Sequence, residues 1–83
     1  MDRKTVRALI EAGAVKKVFL IANGGTFYIE IQTPNDRHIA STGQGQMRTF
    51  RTIDAAARWI HTLGVGESTL RTAKWQPDQR SML

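Results

Sequence analysis

Few residues in this chain have types and spacing suited to covalent chemistry. There is no Cys to act as nucleophile or thiolate ligand. Ser41 and Ser68 lack the glycine-flanked turn that exposes a hydrolase serine. His38 and His61 have no partner pattern of a general base or a metal set, so each reads as a structural histidine. Gly43-Gln44-Gly45 has the glycines of a phosphate loop but not its Lys-Ser/Thr ending, where the phosphate and metal contacts are made. The expectation is a protein that is not an enzyme, with no catalytic residue, no metal, no cofactor and no small-molecule substrate.

The chemistry that remains is charge. Twelve Lys and Arg against seven Asp and Glu leave a net charge of +5, which favours polyanionic partners and nucleic acid first. An excess of that size also serves ordinary solubility. Arg48, Arg51 and Arg58 gather around the start of the second expected helix, where unpaired N–H groups attract phosphate. The glycine-rich loop 43–46 would let backbone approach a nucleic-acid strand; the competing reading is a solvated connection. A second basic group, Arg3, Lys4 and Arg7, lies on the first helix and also reads as its charged outer face.

These residues must be held by short elements. Residues 2–13 read as a helix capped by Asp2 and closed by Gly13, with Val6, Leu9 and Ile10 on one face. Residues 15–22 and 26–33 read as strands joined at Asn23-Gly24-Gly25, a hairpin signal because primed turns need positive φ. With Asn23-Gly24 as the loop, Leu20 opposes Phe27, Val18 opposes Ile29 and Phe19 opposes Tyr28. With Gly24-Gly25 as the loop, Phe19 opposes Glu30 instead, and like-with-like pairing favours the first register. Residues 37–42 read as a third strand carrying Ile39 into the core, and 53–63 as a helix between Thr52 and Gly64.

The expected fold class is α+β: a three-stranded antiparallel sheet with two helices on one face, in the order α-β-β-β-α. The expected core is Val6, Leu9, Ile10, Val18, Leu20, Phe27, Ile29, Ile31, Ile39, Phe50, Ile53, Ala57, Ile60 and Leu63. Residues 1–66 form the single domain and 67–83 a C-terminal tail or packing arm, with an edge strand near 68–74 as another reading. A chain of this length buries only about 60% of its unfolded surface, so a homodimer is one route to extra support. The sheet side away from the core would carry Phe19, Ile21 and Tyr28, an apolar patch of the kind that marks an interface. Leu70 and Trp75 in the tail or a second subunit would cover it, and Trp59 would join it or edge the core. No apolar run approaches the roughly 18 residues of a membrane span, and the expected location is cytoplasmic.

The element order matches the double-stranded RNA-binding fold, which grips shape and phosphates through helix ends and a loop. In this chain Asp54-Ala55-Ala56-Ala57 occupies the start of the last helix, where that fold carries a basic cluster. The segment Met47-Arg48-Thr49-Phe50-Arg51-Thr52-Ile53-Asp54-Ala55-Ala56-Ala57-Arg58-Trp59-Ile60-His61-Thr62-Leu63-Gly64 resembles small plasmid partition-associated proteins of the ParC family. It has their Arg-x-Phe, their hydrophobic-Asp-x-Ala helix start and their Leu-Gly ending. The opening Asp2-Arg3-Lys4-Thr5-Val6 and the strand Tyr28-Ile29-Glu30-Ile31 are also similar, and the likeness covers most of residues 1–65. It implies a non-enzymatic accessory part in plasmid partition, beside a partition NTPase and a centromere-binding protein. Plasmid DNA or those proteins would be the partners. The alternatives are a protein-interaction module using the apolar sheet face, or a structured-RNA binder.

Overall fold

The computed structural model describes residues 1–76. Asp2 is extended and its carboxylate accepts the Thr5 amide at 2.9 Å, so helix α1 (Arg3–Glu11) starts there. Gly13, at φ 71°, ends it: the Gly13 amide donates to the Ile10 carbonyl and the Ala14 amide to the Leu9 carbonyl. That pair of bonds is a Schellman motif, and a residue with a Cβ would resist the left-handed position. Helix α2 (Ile53–His61) repeats the scheme, with the Thr52 hydroxyl accepting the Ala55 amide and Gly64 at φ 98° beyond its end.

Strands β1 (Lys17–Gly24) and β2 (Thr26–Gln32) form the expected hairpin in the other of the two registers. Val18 opposes Ile31, Leu20 opposes Ile29, Ala22 opposes Phe27, and Phe19 opposes Glu30. Gly24, at φ 65°, is the first of the two loop residues, which suits a II′-type reversal. The physical reason lies on the core face. This register sets bulky Phe27 across from small Ala22 and leaves Lys16 at the ladder's end, whereas the register expected from aromatic pairing would place Lys16 opposite buried Ile31. Thr26 adds a hydroxyl bond to the Asn23 carbonyl at 3.2 Å.

Strand β3 (Arg37–Ile39) pairs antiparallel with β2, placing Ile39 opposite Glu30 and His38 opposite Ile31. Ile39 therefore lies on the side away from the helices, contrary to expectation, and the core position falls to Ala40, which is fully buried. After a turn at 42–46 the chain returns and Phe50 exchanges both backbone bonds with Phe27 at 2.8 Å.

The sheet has a fourth strand. β4 (Thr69–Trp75) runs parallel to β1, giving the order β3-β2-β1-β4. The three-stranded antiparallel sheet is thus corrected to a four-stranded mixed one within the same α+β class. Of the segment read as a tail, 69–75 is this edge strand, and 77–83 lies outside the described residues. The register shifts between Ile21, which pairs with Arg71, and Asn23, which pairs with Lys74, so β4 carries one extra residue there as a bulge.

The core is a single cluster. Val6 of α1 and Ala56 and Ile60 of α2, with Leu63 beyond it, pack on Val18, Leu20, Ala22, Phe27, Ile29, Ile31 and Ala40. Leu9 is only half-buried. Both helices therefore cover one face of the sheet, and no element of the described residues covers the other. No helix among the described residues is long and apolar enough to cross a membrane.

Candidate nucleic-acid interface

The helical layer brings together some of the expected cations. The Arg3 guanidinium donates to the Thr62 hydroxyl at 3.3 Å, and Thr62 lies one turn past Arg58. The start of α1, with Arg3 and Lys4, is thereby joined to the exposed side of α2. The charge there is diluted. Arg7 pairs with Glu11 at 3.3 Å, four residues on, and Asp54 sits in the first turn of α2. Asp2 adds a carboxylate beside Arg3, and the Thr5 amide, which it accepts, holds its carboxyl below the ordinary value.

Arg48 is set apart from that layer. Its guanidinium carbon lies 5.5 Å from the centroid of the Trp59 ring, and its buried Nε has no hydrogen-bond partner among the described residues. Trp59 in turn leans on Phe50 at 6.0 Å. Arg51 is exposed before α2 and, with Thr52, Asp54, Phe27 and Trp75, lines a cleft of about 300 Å³. The glycine-rich loop turns its amides inward: those of Gln44 and Gln46 donate to the Thr42 hydroxyl, and that of Gly45 to the Thr42 carbonyl. They are spent inside the turn rather than offered to a phosphate.

The uncovered face of the sheet has a different make-up. Residues paired across strands share a face, so its rows can be read from the register. Arg37, Gln32 and Lys17 form one row; Ile39, Glu30, Phe19 and Thr69 the next. Tyr28, Ile21 and Arg71 form the third, and Thr26, Asn23 and Lys74 the last. Lys17, Arg37, Arg71 and Lys74 are exposed, while Ile21, Tyr28, Glu30 and Ile39 are half-buried. Phe19 is only 6% exposed although no helix covers it. The Arg71 guanidinium accounts for this, lying 4.0 Å above its ring. Among the described residues Glu30 is the lone carboxylate of the face, and it accepts a hydrogen bond from Gln32 at 3.3 Å.

Phe19, Ile21 and Tyr28 are therefore together, as expected. Trp59 and Trp75 are not with them. Trp59 edges the core, and Trp75, paired with Gly24 and 6.2 Å from Phe27, lies on the helix side. The cover expected from Leu70 and Trp75 does not form, since Leu70, paired with Leu20, is on the helix side as well; Arg71 supplies part of it instead. No local pattern in the sequence points to Arg71 and Lys74, for a physical reason. Residues three apart in a regular strand point to opposite faces, and only the bulge in β4 brings these two to the same one. His38 and His61 stand on separate elements, and among the described residues no three His, Cys, Asp or Glu side chains gather to hold a metal ion. Compared with family models, with curated proteins and with solved structures, the chain matches none of them.

Proposed function

We propose that this chain is a non-enzymatic, cytoplasmic accessory protein of plasmid partition that contacts nucleic acid, or a partition complex assembled on it, through a basic surface. The resemblance over most of residues 1–65 supplies the biological setting, with a partition NTPase and a centromere-binding protein as neighbours. One observation supports the contact itself: on the open sheet face four exposed cations, Lys17, Arg37, Arg71 and Lys74, surround an apolar strip that holds a single carboxylate. The helical layer mixes Arg3, Lys4, Arg7, Arg51 and Arg58 with three carboxylates, so its field is weaker, and Arg48 serves packing first.

A mobility-shift titration on plasmid DNA tests the reading. Four phosphate contacts predict that affinity falls roughly a hundredfold between about 50 and 200 mM salt. Equal affinity at both concentrations would remove phosphate contacts from the account.

A second reading rests on a separate feature. β4 is an edge strand, and its Leu70 and Trp75 are 42% and 39% exposed on the helix side. Self-association along that edge would cover them, and a dimer by light scattering that Leu70→Glu returns to monomer would support it. Arg71 and Lys74 on the same strand oppose such pairing by like charge.

A further inference from the structure

We infer that the uncovered face of the sheet is a platform for single-stranded DNA, with Tyr28 and the Arg71–Phe19 stack as the surfaces on which bases lie. The inference rests on the nucleic-acid reading above and specifies its ligand. The cations bracket the face. Lys17 and Arg37 stand in the first row and Lys74 in the last, six residues along β1, or about 20 Å. Between them lie Phe19, Ile21, Tyr28 and Ile39. A duplex would lay its sugar-phosphate backbone against that apolar strip, and its bases, already stacked inside, would gain nothing from the rings. A single strand can hold its phosphates at the cationic ends and turn its bases onto the middle.

Tyr28 on β2 and Phe19 on β1, which carries the Arg71 guanidinium, are diagonal neighbours on adjacent strands, so the two stacking surfaces lie about 8 Å apart. The Arg71 guanidinium carbon lies over Phe19, 4.0 Å from its centroid, so the group over the ring is a guanidinium, which stacks on bases as an aromatic ring does. A second copy of the chain is a poor occupant, because two such faces would set Lys17, Arg37, Arg71 and Lys74 against their own kind. The choice of DNA over RNA follows from the strip itself. Between the cationic rows the apolar Ile21 and Ile39 suit deoxyribose and thymine methyl groups, and the amide of Gln32 is engaged by Glu30.

Fluorescence anisotropy with a labelled oligothymidine of about a dozen nucleotides, a duplex of the same length and an oligouridine tests this. The expected results are tightest binding to oligothymidine and a log–log salt slope of about −3. Tyr28→Ala should weaken binding roughly ten- to a hundredfold, while Tyr28→Phe stays within about twofold. Thermal melts establish that the variants fold, and Lys74→Gln, at an exposed position, should lower the slope by about 0.7 on its own. Wild-type affinity in Tyr28→Ala, tighter binding of the duplex, or tighter binding of oligouridine would each overturn the inference and leave nucleic-acid binding standing. Failure of all three probes at low salt would remove both.

Discussion

Arg71 joins the fold to the candidate site, and its replacement tests both. It belongs to β4, the strand that pairs parallel with β1, and it lies 4.0 Å over Phe19 on a face that no helix covers. In Arg71→Ala the cation–π contact is lost, about 0.5–1 kcal/mol at an exposed site. The ring, now 6% exposed, is also uncovered. Exposing about 50 Å² of it costs about 1 kcal/mol more. The sum approaches about 2 kcal/mol, or roughly 10 °C in Tm for a domain of this size. Phe19→Leu removes the ring from the other side. In a double-mutant cycle by urea unfolding, Arg71→Ala and Phe19→Leu should couple by about 0.5–1 kcal/mol. Additivity within about 0.3 kcal/mol would show that Arg71 does not lie on Phe19, and the placement of β4 would fall with that contact.

Three further outcomes follow from the same structure. Ile29 is fully buried in a central strand, so Ile29→Ala should cost about 2–5 kcal/mol in denaturant unfolding, a large share of the stability of so small a domain. Thr52→Ala should cost about 1 kcal/mol by removing the hydroxyl that accepts the Ala55 amide, and Thr52→Asp should restore most of it. The Asp2 carboxyl, held low by the Thr5 amide, should titrate by NMR below its unfolded value. Because the folded pKa is the depressed one, its contribution to stability is present above the unfolded value and is lost as pH falls through the folded one, and Asp2→Asn should flatten that acid limb.

What the sequence disclosed was local, and what it concealed was long-range. Asp2, Gly13, Thr52 and Gly64 mark both helices because capping is settled within a few residues of each end. The hairpin was legible from its glycines, but its register was not, because two adjacent loops share the same faces and differ only in which pairs meet. The match of Phe27 with Ala22 and the exclusion of Lys16 from the core decide between them. Ile39 misled by its bulk: a three-residue strand carries too little alternation to set its own phase, and the bond from the Ala40 amide to the Ile29 carbonyl sets it instead. β4 is legible only as one of several readings of residues 67–76, since its partner lies some fifty residues back and its seven residues are all exposed. The candidate site was half visible for the same reason. Phe19, Ile21 and Tyr28 follow from the hairpin, whereas Arg71 and Lys74 reach them only through a bulge that no local pattern announces.

The most direct measurement is a two-dimensional amide NMR titration of the chain with oligothymidine. Shifts should concentrate at Lys17, Phe19, Ile21, Tyr28, Arg71 and Lys74, with the amides of Arg3, Lys4 and Arg58 little moved. Shifts confined to α1 and α2, with β1 and β4 silent, would contradict binding on the sheet face.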